Sequence, residues 1–254
     1  MTLAPNGNAL AWRRSSTSRA RAVIVPTGSV EQHGPHLPLG TDVFLAHAVA
    51  GAVAATRDDV LLAEPVSYGC SWHHAAFPGT VSVRPSTFAA LLVDVCASIA
   101  AHGALPILCN GHYGNKGALE VAAAELAEQG VRVGAFTYID QITAVASELV
   151  DEPVTAFGHA CALETSLVLH LWPDAVSEGD IPVGGTPSRW PDPHLLGPDR
   201  VAVIRPFEEL NPTGVIGRPS AATAEIGSRL FAAAVERCGA VVDRLLGAHA
   251  APAT

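Results

Sequence analysis

One pattern recurs along this chain and limits what it can fold into. A short, unbroken apolar run closes in a polar turn and gives way to a segment with helical spacing. "RAVIVPTG" (21–28) is the first such run, and "ALPILCNGHYGN" (104–115) repeats the pattern. Apolar runs without polar alternation suit strands buried on both faces, as in parallel sheets. "VLLAEPV" (60–66) and "VRVGAFTYID" (131–140) are expected as further strands. Between them, "DVFLAHAVAGAVAAT", "RPSTFAALLVDVCASIAAHG" and "KGALEVAAAELAEQG" carry helical spacing, with Ser86 a candidate cap and Gly103 and Gly130 stops. Helices are also expected over 160–173, ending at Pro173, and from Ser220 to Ala250. Residues 174–219, rich in Pro and Gly, are expected to form long loops with short elements. Strand alternating with helix throughout predicts an α/β fold, a three-layer α/β/α domain on a mainly parallel sheet. No linker or solenoid repeat interrupts it. One domain over 1–254 is expected, with 1–20 a lead-in and 250–254 a tail.

Composition removes several classes of function. A net charge of -9, no Lys/Arg stripe and 6% aromatic residues argue against a nucleic-acid surface. No uncharged apolar run approaches the ~18 residues that span a bilayer, so no membrane partner is expected. The five cysteines, Cys70, Cys96, Cys109, Cys161 and Cys238, show no CxxC and no even spacing. Neither a disulfide framework nor a thiolate metal site is implied. The N-terminus has arginines but no apolar run behind them, so no signal peptide is expected and the protein is expected to be cytoplasmic.

In sheets of this kind functional groups gather at the carboxyl ends of strands. Glu31, His33 and Asp42 follow the first strand, and Asn110, His112 and Asn115 follow the strand at 105–109. His159 and Glu164 flank the start of the helix at 160. Imidazole and carboxylate groups without thiolate suit Zn, Mn or Fe(II). Two such ions need a bridging anion, and together they activate a shared water for attack on an amide carbonyl. Taken alone, these residues fit either half of a metal site or a polar loop with hydrogen-bonded histidines.

The motif "VPTGSVEQHGPHLPLGTD", with "NGHYGN", "ETS", "FPGT" (77–80) and "PTGVIGRPSAATAEIG" (212–227), resembles the creatininase (creatinine amidohydrolase) family over essentially the whole chain. The resemblance implies a divalent metal centre with two ions per subunit, a small amide or peptide substrate, and a homo-oligomer, hexamers being common. Carried over by position, it implies Glu31 and His112 as ligands of one ion, His33 as ligand of the other, and Asp42 as the bridge. Creatininase has a Glu where this chain has Gly114, and Glu164 of "ETS" is the implied replacement. His159 matches the family histidine that moves protons at the scissile bond. Gly158, Ile139 and Thr155 stand where creatininase carries a Glu and two ring-packing tryptophans, so the resemblance implies poor or absent creatinine hydrolysis. "TSRARAVIVPTGSVEQHGPHLPLGTD" and "ETSLVLHLWPDAV" resemble, within the family, the branch of peptidases in mycofactocin maturation. Those enzymes release a C-terminal dipeptide from a decarboxylated, modified precursor. "CSWHHAAFPGT" and Tyr113 depart from that branch.

Trp72, His74 and Tyr113 are the candidates for substrate contact, set against simple packing for His74 and an exposed loop tip for Trp72 and His73. His36 fits a supporting role, and the remaining histidines have no motif around them. Three functional classes compete: an amide hydrolase, a deformylase or amide-forming enzyme on the same site, and a silent relative whose metal only organises an oligomer.

Overall fold

A computed structural model describes residues 20–151, 157–185 and 205–250. Nearly all of the lead-in, Thr155 and the 251–254 tail lie outside them. Four parallel strands form one sheet: β1 (Ala22–Thr27), β2 (Val60–Leu62), β3 (Leu105–Asn110) and β4 (Gly134–Thr137), in the order β2-β1-β3-β4. Ala22 pairs with Val60 on one side and Leu105 on the other, while Thr27 pairs with Asn110 and Asn110 with Thr137. The order reverses between β1 and β3. Loops there leave in opposite directions and open a crevice beyond the carboxyl ends of both strands.

The helices are α1 (Thr41–Ala54), α2 (Pro85–Ala100), α3 (Lys116–Glu128), α4 (Tyr138–Leu149), α5 (Ala162–Leu171), the single turn α6 (Phe207–Leu210) and α7 (Ala224–Ala250). Side chains alternate across each strand, so the sheet feeds two cores. Ile24 and Ile107 face one core with Leu45 and Val49 of α1, Ile142 of α4, Leu167 of α5 and Leu230 of α7. Val25 and Leu108 face the other, with Phe88 and Leu92 of α2 and Leu119 and Leu126 of α3. The three-layer α/β/α expectation holds. Among the described residues, no helix is long and apolar enough to cross a membrane.

Several boundaries move. The strand expected over 131–140 is only Gly134–Thr137, and Tyr138 opens a helix instead of ending the strand. Tyr138, Ile142 and Ala146, four apart, are buried together, and this helical period outweighs the β-propensity of "FTYI". β2 stops at Leu62, before Glu64 and Pro65, and Val66 returns only as an isolated bridge to Thr27. Ser86 is not the cap of α2; Arg84 is, with Pro85 in the first turn, where its missing N–H costs nothing. α5 begins at Ala162 and α7 at Ala224, the latter after a short 3₁₀ turn at Pro219–Ala221.

α7 crosses α5 at Gly227. A Cβ there would stand 1.8 Å from the Ser166 carbonyl oxygen and 2.9 Å from the His170 Cβ. Alanine's better helix propensity, worth about 1 kcal/mol, cannot offset a backbone collision. Gly227→Ala is expected to destabilise the protein by ~1–3 kcal/mol, the usual cost of overpacking. Urea unfolding measures this, and an unchanged or raised midpoint would refute the close crossing.

Candidate metal centre

The crevice is built by polar side chains that tie the strand ends together. Thr27 donates through Oγ1 to Asn110 Oδ1 (3.1 Å), and Asn110 Nδ2 donates to Thr137 Oγ1 (3.1 Å). Asn110 Nδ2 also donates to the His112 carbonyl (2.7 Å), which sets the turn after β3. Asn115 Nδ2 donates to the Gly28 carbonyl (3.0 Å), and its Oδ1 accepts from the Cys70 N–H (2.9 Å). The loops after β1 and β3 are thereby held side by side.

Into this frame α1 and α5 bring their first turns, each with an acid. Asp42 lies in the first turn of α1 and Glu164 in that of α5, where the helix dipole favours negative charge. Glu164 Oε2 also completes a capping box by accepting from the Cys161 N–H (3.4 Å), leaving Oε1 to face His33 at 3.9 Å. Thr165 Oγ1 contacts His36 Nε2 (2.9 Å), which places His36 as a support for the loop. Ser166 Oγ donates to the Ala162 carbonyl and accepts from the Thr223 N–H.

The structure brings Glu31, His33, Asp42, His112, His159 and Glu164 into one buried cluster, all at most 8% exposed. Four sets of side chains stand at ligand spacing among the described residues: Glu31–Asp42–His112 and His33–Asp42–Glu164, which have Asp42 in common, and Glu31–His33–His159 and Glu31–His73–His74. Asp42 Oδ1 stands 3.2 Å from His33 Nε2, and Oδ2 stands 3.0 Å from His112 Nδ1. Glu31 Oε2 is 3.3 Å from His112 Nε2, the ring nitrogen opposite the one that faces Asp42. Ligand atoms about 2.0–2.2 Å from one ion stand roughly 3–3.6 Å apart at tetrahedral angles.

These residues fit divalent metal on two grounds. First, Glu31 Oε1 and Oε2 and Asp42 Oδ2 are buried without a hydrogen-bond partner, although histidine nitrogens stand close by. Buried carboxylates left so are costly by several kcal/mol each unless a cation satisfies them. Second, His33 Nδ1 donates to the Glu31 carbonyl (3.1 Å) and His112 Nε2 to the Cys70 carbonyl (3.2 Å). A ring held at one nitrogen by a carbonyl, with the other nitrogen turned to carboxylates, is the arrangement metal-bound histidines adopt.

The electrostatics agree. Burial alone would depress both histidines, but Asp42 and Glu164 push His33 up to about 10, and Glu31 and Asp42 push His112 up to about 9. Asp42 is held well below the usual carboxylate range; burial opposes this and the two histidines outweigh it. Burial, and then Asp42, raise Glu164 to about 7. Positive charge is demanded at both positions beside Asp42, whichever cation supplies it.

His159 lies at the rim, its backbone pinned by paired hydrogen bonds with Ile216. Its Nε2 donates to the Gln32 carbonyl (2.7 Å), and Nδ1 faces Glu31 Oε1 at 3.8 Å. Burial, then His74 and His33, hold it well below an ordinary histidine, so it is a neutral ring with a lone pair turned inward. The next residue, Ala160, has φ 51°, strain worth about 1–3 kcal/mol that sits between His159 and the cap of α5.

The candidates for substrate contact separate. His74 is buried in the cluster, its ring 4.3 Å from that of His159. Trp72 is 60% exposed beside it. Tyr113 is partly exposed, but its hydroxyl already donates to Asp140 (2.6 Å) and Lys116 lies over its ring. His73 is not an exposed tip; it is half-buried, stacked parallel to His112. Two participants carried no advance signal as site residues. Phe207 of α6 covers His74 and His159 from a stretch that reads only as loop, and Gln32 lies inside the motif but reads as a spacer.

At both glycines where this chain departs from the creatininase pattern, the backbone leaves no room for a side chain. A Cβ at Gly114 would lie 2.3 Å from His112 Nε2 and 2.4 Å from the Cys70 carbonyl oxygen. One at Gly158 would lie 2.4 Å from the Ile216 carbonyl oxygen. Neither position accepts a Glu in this backbone, whereas Glu164 already points into the cluster. Ile139 packs against the apolar core under α4.

Comparison with known proteins agrees with the geometry. The family model described as creatininase, creatinine amidohydrolase, matches residues 9–242. A mycofactocin precursor peptide peptidase of Mycolicibacterium smegmatis is 37% identical over 245 residues, covering 94% of this chain and 92% of that protein. A creatinine amidohydrolase of Pseudomonas putida is 33% identical over 171 residues, 61% of this chain and 65% of that one. A solved manganese form of creatininase superposes with a TM-score of 0.76 at 25% identity, covering 94% and 97% of the two chains.

Asp42→Asn keeps the shape of the shared carboxylate and removes its charge. It is expected to lower bound metal by at least one ion per subunit while the fold persists. Elemental analysis after dialysis decides, and full occupancy would remove Asp42 from the centre.

Proposed function

The chain belongs to the creatininase family and is a hydrolytic enzyme, and from that premise we propose that it is a metal-dependent peptidase trimming a modified peptide of the mycofactocin precursor kind. The observation that carries this reading is end-to-end likeness to peptidases so named, at 37% identity over more than nine-tenths of both chains. The likeness to a creatinine amidohydrolase covers less of each chain. Gly114, Gly158 and Ile139 support the same preference, because none offers creatinine the carboxylates or flat aromatic walls found in creatininase.

Under this proposal Glu31, Asp42 and His112 hold one divalent ion, Zn, Mn or Fe(II), and His33, Asp42 and Glu164 hold a second. Such ions, when bound, polarise an amide carbonyl and lower the pKa of water. The remaining work falls to the protein. His159, a neutral ring with its Nδ1 lone pair turned toward the cluster, takes a proton from the attacking water and returns it to the leaving amine. Phe207 covers the histidines and keeps bulk water from them, which strengthens each charge interaction beneath. Trp72 and Tyr113, both partly exposed, form the side along which a longer substrate lies. A cytoplasmic homo-oligomer belongs to the same proposal.

The test is to incubate metal-loaded enzyme with a decarboxylated, modified precursor peptide and, separately, with creatinine. Release of the C-terminal dipeptide, seen by mass spectrometry, with little creatinine turnover is expected. Brisk creatinine hydrolysis with an intact peptide would overturn the substrate assignment.

His159→Ala is expected to retain full metal content and to lower turnover by ~10²–10⁴-fold, the range for loss of a positioned acid–base group. Loss of metal in that variant would make His159 a ligand instead.

A further inference from the structure

Four of the histidines that line the cluster, His33, His74, His112 and His159, each have one ring nitrogen committed to a partner of fixed hydrogen-bonding character. His33 Nδ1, His112 Nε2 and His159 Nε2 each face a backbone carbonyl, at 3.1, 3.2 and 2.7 Å. A carbonyl oxygen only accepts, so those nitrogens carry the hydrogen; the opposite nitrogen of neutral His159 turns a lone pair inward, and those of His33 and His112, which face Asp42, would do so once a cation replaces their second hydrogen. His74 is reversed. Its Nδ1 lies 2.8 Å from Gln32 Nε2, an amide nitrogen that only donates.

The orientation of that amide is set by two further contacts. Gln32 Oε1 accepts from the Gly34 N–H (2.9 Å), and Gln32 Nε2 donates to the Gly214 carbonyl (3.1 Å). Turning the amide over would place like against like at both. Gly214, at φ 74°, also packs so close that a Cβ there would lie 2.2 Å from Gln32 Oε1. His74 Nδ1 must therefore accept, and its hydrogen sits on Nε2, 3.2 Å from Glu31 Oε1.

We infer that Gln32 is a positioning residue that gives His74 and His159 opposite duties from one point in the chain. Its side-chain amide makes His74 an N–H donor beside Glu31, and its backbone carbonyl makes His159 a lone-pair acceptor beside the same oxygen. His74 is thus not a metal ligand, although Glu31, His73 and His74 stand at ligand spacing. A nitrogen that bears a hydrogen has no lone pair to offer an ion. Instead its N–H stands 3.2 Å from Glu31 Oε1 and biases where that carboxylate rests.

This inference rests on the metal-hydrolase reading for its catalytic meaning, but the hydrogen positions can be observed without substrate. Neutron diffraction from deuterium-exchanged, zinc-loaded protein is expected to show deuterium on Nε2 of both His74 and His159. Deuterium on His74 Nδ1, or zinc on His74 Nε2, overturns it. In parallel, His74→Leu is expected to bind as many zinc ions as the unaltered protein at saturation, with ~10–100-fold weaker affinity. His74→Gln, which restores a side-chain N–H, is expected to recover most of that loss. A lower zinc stoichiometry in His74→Leu overturns the inference. If the hydrogens stand as described and no amide or peptide is cleaved, the functional reading fails and this one survives.

Discussion

The structure turns on the wedge that Asp42 drives between the ends of β1 and β3. The first turn of α1 presses so closely on both strands that neither can carry a side chain at the contact. A Cβ on Gly28 would lie 2.6 Å from the Val43 nitrogen, and one on Gly111 would lie 2.5 Å from the Asp42 carbonyl oxygen. This approach puts one carboxylate at the point where strand order reverses, with an oxygen toward the loop of each strand. His33 and His112, which belong to different loops, are joined through its two oxygens.

Charge explains the rest of the arrangement. Glu31, Asp42 and Glu164 are all buried within one cluster, and two of them leave oxygens without hydrogen bonds. Such a group is stable only around cations, so a divalent ion bound there would stabilise the folded chain by mass action. Glu164 shares its carboxylate between the cap of α5 and the cluster, and the strained Ala160 just before that cap also fixes His159. One short stretch, 159–164, therefore sets the proposed proton-transfer group and a proposed ligand in a single local geometry.

Much of this was legible in the residues themselves. "RAVIVPT" and "LPILCN" announce buried parallel strands because nothing polar interrupts them, and the acids and histidines directly after them mark the carboxyl edge of the sheet. Glu31, His33, Asp42 and His112 could be grouped for that reason. Glu164 and His159 stand out beside a helix start, but their roles come from resemblance alone, since no spacing rule ties residue 164 to residue 33. Tyr138 misled because a tyrosine among apolar residues favours a strand until the buried spacing to Ile142 and Ala146 is counted. His74 and Phe207 meet through the tertiary fold alone, and Gln32 matters through hydrogen-bond polarity, which a sequence does not display.

The central claim is that two cations share Asp42, one beside Glu31 and His112 and the other beside His33 and Glu164. Anomalous diffraction at the zinc edge from zinc-loaded crystals measures this directly. The account predicts two peaks per subunit flanking the Asp42 carboxylate, with Glu164 within bonding distance of the one nearer His33. A single peak, or a second ion that ignores Glu164, would contradict it.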